Sequence, residues 1–211
     1  MLWLRVAVIY LLCIASSPAQ ELPPIQNFVK SVWTGGIPIS QAEQYPKTVV
    51  PELIHMLGNQ REKIHWPQIA LVLGVVGNES IGRLLIDHLH NELYKPGECR
   101  DVEAFGHISG LGHLVRRTGN TFALNYLITG TDPGIWKNRV KLDAKCQVGE
   151  EFYEYLALDA VVALGISESP VAAYHMQKMI ETKTAPRGNI SAVETWLKVN
   201  QRRNATGVTI Q

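Results

Sequence analysis

Apolar residues recur every three or four positions between Trp66 and His90, the most regular stretch of the chain. The first half carries a stripe formed by Ile69, Val72, Leu73 and Val76, and the second half one formed by Ile81, Leu84, Leu85 and Leu89. This spacing places each stripe on one face of an α-helix. Between them lie Gly77, a residue type that ends helices in the left-handed conformation, and Asn78, which can cap the next helix. The stretch predicts two antiparallel helices joined by a tight turn.

The same pattern recurs on both sides of this hairpin. It predicts an entry helix over residues 24–33, a short helix over 48–57, a third hairpin from Asp101 to Gly130 and a fourth from Glu150 to Ile180. Ser40 with Glu43, and Ser191 with Glu194, have the spacing of capping boxes at two further helix starts. One hairpin cannot bury both of its apolar stripes, so we expect successive hairpins to stack. The pattern predicts an all-α fold.

Short sequence motifs at the predicted turns indicate a family. Leu73-Gly74-Val75-Val76-Gly77-Asn78 resembles the Leu-Gly-x-x-Gly-Asp/Asn signature of HEAT and HEAT-like repeats, and Leu111-Gly112 with Gly119-Asn120 resembles a degenerate copy. Ala163-Leu164-Gly165 resembles another. The resemblance covers residues 45–180. It implies an α-α superhelix, a HEAT-like solenoid of about four helical hairpins, with protein binding or scaffolding as the usual role.

The first nineteen residues predict a signal peptide. Arg5 precedes an apolar run over residues 6–15, and the small residues Ser17 and Ala19 follow at a plausible cleavage site. The run is too short to cross a bilayer as a helix. The alternatives are a buried N-terminal helix and a lipoprotein signal ending at Cys13. Export predicts a secreted or periplasmic protein with no stable membrane insertion after cleavage.

The remaining chain divides by composition. We expect a leader and N-terminal capping helix over 20–44, a repeat domain over 45–200 with an inserted loop over 131–149, and a polar tail over 201–211. The 211 residues are 46% hydrophobic, which excludes a disordered chain. The formal net charge of +1 lacks the basic excess of a nucleic-acid binder.

Two cysteines and three asparagines suggest covalent modifications. Cys99 and Cys146 remain after signal cleavage; they could form a disulfide in an oxidising compartment or be two isolated buried thiols. The sequences beginning at Asn78, Asn189 and Asn204 match the N-glycosylation pattern, which is common by chance.

The inserted loop over 131–149 is the predicted partner-binding segment, because insertions in solenoids often carry function. It contains Trp136, which we expect to anchor a protein partner, followed by the basic residues Lys137, Arg139 and Lys141. The alternative is a solvated loop with one buried tryptophan.

The seven histidines do not predict a metal site. His88 and His90 are two positions apart and point in different directions on a helix, and His107 and His113 are too far apart to chelate one ion. No His-Glu dipeptide, of the kind carried by HEAT-like di-iron hydroxylases, is present in the sequence. The glycines of segment 106–112 are expected to allow close helix packing.

These observations predict a non-catalytic scaffold or adaptor for another protein, with no cofactor. The competing hypothesis is a metal- or small-ligand-dependent enzyme that uses Glu103, His107 and His113 across a groove. A purely structural subunit of an envelope assembly is a third possibility.

Overall fold

A computed structural model describes residues 21–34, 36–93, 101–140 and 149–205, without the side chains of 92–93, 101–103 and 203–205. The predicted signal peptide therefore lies outside the described residues. The described ranges contain α-helices, short 3₁₀ and π segments and no strand, which confirms the all-α class. The α-helices are α1 (Ile25–Lys30), α2 (Ile39–Ala42), α3 (Val50–Leu57), α4 (Trp66–Val76), α5 (Ile81–His88), α6 (Asp101–Thr118), α7 (Thr121–Thr129), α8 (Pro133–Arg139), α9 (Glu151–Ile166), α10 (Pro170–Thr182) and α11 (Ile190–Ala205).

The core is built around α6, which packs against α4 on one side and α9 on the other. Every residue from Gly106 to Val115 is buried, including the polar His107, Ser109 and His113. Helix α4 is also buried over most of its length because its sequence is apolar on nearly every face.

Glycines bring these helices into close contact. A Cβ atom at Gly110 would lie 2.6 Å from the carbonyl oxygen of Ala70 on α4, and one at Gly112 would lie 2.5 Å from the carbonyl oxygen of Ala163 on α9. Gly106 approaches the backbone of Pro67 in the same way. A side chain at any of these positions would separate the helices. The predicted packing role of segment 106–112 is confirmed.

Helices α5, α7 and α10 lie outside this central group, with α7 in contact with both α5 and α10. At one end of the chain α1 and α2 pack on α4, where Tyr45 donates a hydrogen bond to the carbonyl of Pro23 at 2.7 Å. At the other end α11 packs against α9 and α10. Glu194, Lys198 and Arg202 are exposed on α11, so its outer face is polar.

The two Gly-Asn turns differ in conformation. Gly119 has the predicted left-handed backbone, with φ of 67°, and the Asn120 side chain caps α7 by accepting a hydrogen bond from the Ala123 amide at 2.8 Å. Gly77 instead has φ of −67° and ψ of 173°, so the left-handed prediction was wrong there. The Asn78 side chain accepts from the Ser80 amide at 3.1 Å and holds the turn without that conformation.

Both predicted capping boxes were wrong. Ser40 was the predicted cap, but it lies inside α2, which begins after Pro38 and has no side-chain cap. The Glu43 carboxylate pairs with Arg116 at 2.6 Å instead. At α11 the cap is Asn189, whose side chain accepts from the Ala192 amide at 3.1 Å. Helix α11 also continues to Ala205, so the first part of the predicted polar tail is helical.

Candidate functional site

The predicted inserted loop contains a helix, α8, that is seven residues long. Asp132 caps it by accepting a hydrogen bond from the Gly134 amide at 2.8 Å, and Pro133 occupies its first turn. Proline fits there because the first amide groups of a helix lack intrahelical partners. Residues 141–148, which follow α8, lie outside the described part of the chain, and so do Lys141 and Cys146. The other half of the suggested disulfide, Cys99, also lies outside it.

Trp136 is a core residue in this structure. Its side chain has no exposed surface, and its indole Nε1–H donates a hydrogen bond to the carbonyl of Gly130 at 2.6 Å. The ring meets Tyr126 edge-on, with 5.9 Å between centroids. In this conformation the indole is inaccessible to a partner, which agrees with the alternative expectation of one buried tryptophan in this segment.

Arg139 holds α8 against α7. Its guanidinium stacks 4.1 Å from the ring centroid of Tyr126 and lies 5.2 Å from that of Trp136. It also donates to the Thr129 hydroxyl at 2.5 Å. Burial lowers the pKa of Arg139, which nevertheless remains a cation at neutral pH. Lys137, by contrast, is exposed and pairs with Glu150 at 2.8 Å.

His90 and Tyr126 extend this group of side chains. The Tyr126 hydroxyl lies 2.9 Å from Nε2 of His90. Burial raises the pKa of Tyr126 well above its ordinary value, and burial together with the charge of Arg139 lowers the pKa of His90. A protonated phenol therefore donates to a neutral imidazole at neutral pH. Because its pKa is raised, the Tyr126 phenol stays protonated at neutral pH and acts here as a hydrogen-bond donor.

A second histidine pair lies in the interior. Nδ1 of His88 is 2.9 Å from Nε2 of His107, and Nε2 of His88 is 3.0 Å from the carbonyl oxygen of Leu57. A carbonyl only accepts, so Nε2 of His88 carries the proton, and a neutral His88 then accepts from His107. As predicted, His88 and His90 point to different partners. In the described residues no three histidine, cysteine or acidic side chains could hold one metal ion.

Sequence reasoning missed a set of exposed aromatic residues that lie next to cations. Phe122 on α7 has 47% of its surface exposed, with the Arg83 guanidinium 5.3 Å from its ring centroid. Tyr174 on α10 is 66% exposed, with the Lys178 amine at 5.7 Å. Val171, one turn before Tyr174, is exposed too. The sequence did carry a sign of this exposure on α10. Val171 and Tyr174 lie outside the helical stripe formed by the buried residues Ala172, Met176 and Met179.

A cleft of about 300 Å³ lies between the C-terminal end of α6 and the turn that joins α9 to α10. Arg116 and Glu168 line it together with the apolar Val115 and Leu124. The Arg116 guanidinium lies 3.4 Å from Glu168 as well as 2.6 Å from Glu43. The arginine thus joins three distant segments of the chain.

Comparisons with protein-family models, with curated proteins and with solved structures found no match for this chain. Among the described helices, none combines the length and the apolar composition that crossing a bilayer requires.

Proposed function

We propose that this protein is an exported, HEAT-like α-solenoid of about four helical hairpins that acts as a protein-binding scaffold or adaptor. The order of helix contacts supports the architecture. Each of the pairs α4–α5, α6–α7 and α9–α10 is a hairpin, and the first helices contact one another in sequence, as do the second helices. Stacked repeats make contacts of this kind with their neighbours. The polar outer face of α11 suits a terminal cap.

Export rests on the pattern of the first nineteen residues. A basic residue, a short apolar run and small residues before a cleavage site are the features of a secretory signal. Expression of the full chain in cultured cells tests the proposed export. If residues 1–19 are a signal peptide, a chain shortened by their cleavage should be found outside the cytoplasm. A full-length chain retained in the cytoplasm would contradict export.

The exposed aromatic residues are the observation that carries the binding proposal. We define the outer-helix surface as Arg83, Phe122, Val171, Tyr174 and Lys178, which lie on the neighbouring helices α5, α7 and α10. Aromatic side chains and arginine dominate binding energy when a partner buries them. The surface therefore replaces Trp136 as the proposed anchor for a protein partner.

Two tyrosines provide a matched test of this surface. Tyr174→Ser removes an exposed ring from α10, whereas Tyr155→Ser removes an exposed ring from α9, outside the outer-helix surface. If Tyr174 is a hot spot, its loss weakens capture of the partner by about thirtyfold, or roughly 2 kcal/mol. Tyr155→Ser should bind as the wild type does. Equal binding by all three proteins would contradict the proposed surface.

Binding of a small ligand is the second candidate function. The cleft beside Arg116 is the observation that favours it. Its size is at the lower end for small-molecule sites. Arg116 already faces two carboxylates of the chain itself, which leaves the cleft little charge for an ionic ligand. Native mass spectrometry separates the two candidates, because a scaffold retains a protein and a ligand-binding protein retains a small molecule.

A further inference from the structure

Two exposed turns of the protein share the sequence Asn-x-Ser. Asn78-Glu79-Ser80 precedes α5, and Asn189-Ile190-Ser191 lies at the start of α11. The asparagine and the serine are exposed in both turns. Each turn therefore presents an amide and a hydroxyl, two residues apart, at the surface of the folded chain.

The two asparagine side chains have the same hydrogen-bonding arrangement. Asn78 Oδ1 accepts from the Ser80 hydroxyl at 2.6 Å and from the Ser80 amide at 3.1 Å. Asn189 Oδ1 accepts from the Ser191 hydroxyl at 2.9 Å and from the Ala192 amide at 3.1 Å. Within the described part of the chain, neither Nδ2 amide group makes a hydrogen bond. In each turn the oxygen accepts from a backbone amide near the start of the helix, while the nitrogen faces solvent.

Asn120 shows that this arrangement is not common to every capping asparagine. Its Oδ1 also caps a helix, but its Nδ2 donates to the carbonyl of Glu79 at 2.7 Å. Phe122 stands where a serine or threonine would be needed. A free amide nitrogen and a hydroxyl two residues later occur together at Asn78 and Asn189.

We propose that Asn78 and Asn189 are acceptor sites for N-linked oligosaccharide. A lipid-linked oligosaccharide diphosphate is the donor: a bond forms between Nδ2 and the anomeric carbon of the first sugar, and the bond from that carbon to the diphosphate oxygen breaks. The diphosphate leaves with the bonding electrons, and the amide nitrogen loses one proton. Because the product keeps Oδ1 as an acceptor, glycosylation preserves the side-chain hydrogen bonds to backbone amides at both turns. The inference rests on the proposed export, since this transfer modifies exported chains.

Serine substitutions test the two sites while both asparagine side chains remain in place. Ser80→Ala and Ser191→Ala delete the hydroxyl that the acceptor pattern requires, and they leave the asparagine oxygen bonded to a backbone amide. The full chain is expressed with its own leader in cultured animal cells. All forms carry Thr206→Ala, which silences the third pattern at Asn204. The readout is the mass of the secreted chain before and after treatment with peptide N-glycanase.

We expect the secreted chain to carry two glycans, each a discrete mass increment that the enzyme removes. Each serine variant should lack one increment, and the double variant should lack both. A secreted chain whose mass the enzyme does not change would overturn the inference, as would increments that persist in the double variant. A second form, in which the signal sequence of a secreted protein replaces residues 1–19, separates the two proposals. If only this form is exported and glycosylated, the sites are supported and the export signal is contradicted.

Discussion

The indole of Trp136 connects α8 to the rest of the molecule through one buried hydrogen bond and an aromatic contact. Replacing a fully buried tryptophan with alanine removes this packing and leaves a cavity. We expect Trp136→Ala to lower the free energy of unfolding by about 3–5 kcal/mol, measured from urea titrations followed by circular dichroism.

Two variants serve as controls for this measurement. Trp136→Phe keeps an aromatic ring but loses the hydrogen bond to Gly130, so its loss of stability should be smaller. Lys137→Ala alters an exposed neighbour and should leave the urea midpoint unchanged. A Trp136→Ala protein as stable as the wild type would show that the indole is not buried.

The half-buried histidines make stability depend on pH. Burial lowers the pKa of His175, and burial with the charge of Arg139 lowers that of His90. Below the unfolded-state pKa of about 6.5, the unfolded chain therefore binds more protons than the folded chain. Stability should fall as pH decreases through this range and level off once the folded-state histidines are also protonated.

Urea midpoints measured between about pH 7.5 and pH 5 check this pH dependence. The Thr131 hydroxyl donates to the carbonyl of Ile128 and therefore accepts from His175 at 2.9 Å, and in His175→Gln the amide can still donate to it. This variant should show a shallower pH dependence than the wild type. A midpoint that rises on acidification would contradict the lowered pKa values.

At the scale of elements, the α4–α6 contact sets how closely the central helices pack. Alanine is favoured over glycine in a helix by about 1 kcal/mol. At Gly110, however, the added carbon would lie 2.6 Å from the Ala70 carbonyl, and overpacking of this kind costs about 1–3 kcal/mol. We expect Gly110→Ala to lower the thermal midpoint of unfolding.

Gly58 is the matched control for this substitution, because an added carbon there would make ordinary contacts at 3.7 Å. Gly58→Ala should leave the thermal midpoint close to that of the wild type. If Gly110→Ala instead raised the midpoint, the gain in helix propensity would exceed any steric cost. That result would contradict the close approach of α4 and α6.

The sequence predicted elements well where local signals were sufficient. Apolar stripes and the Gly77-Asn78 turn predicted α4 and α5, because periodicity and turn chemistry are local properties. The sequence-based prediction failed where contacts between residues far apart in the chain determine the structure. Glu43 has capping-box spacing but pairs with Arg116, which is 73 positions away in the chain. Trp136 lies in a polar, Gly- and Pro-containing segment, and its burial depends on α7 and α9.

At the scale of the whole molecule, the fold class was predictable and the proposed binding surface was not. Helical periodicity over most of the chain was enough for an all-α fold. Tyr174 lies outside the apolar stripe of its helix, which is a signal in the sequence, but apolar character alone does not show whether an aromatic residue such as Phe122 is buried or exposed. Phe122 counts as an apolar position in the sequence, whereas the structure places its ring at the surface beside Arg83.

We propose above all that the exported chain acts by binding another protein. Native mass spectrometry of the protein purified from the extracellular or periplasmic fraction of its own source tests this claim most directly. We expect a complex whose mass is that of the mature chain plus one stoichiometric protein partner. A mature chain without a protein partner, carrying a metal ion or small molecule in one-to-one ratio, would contradict it.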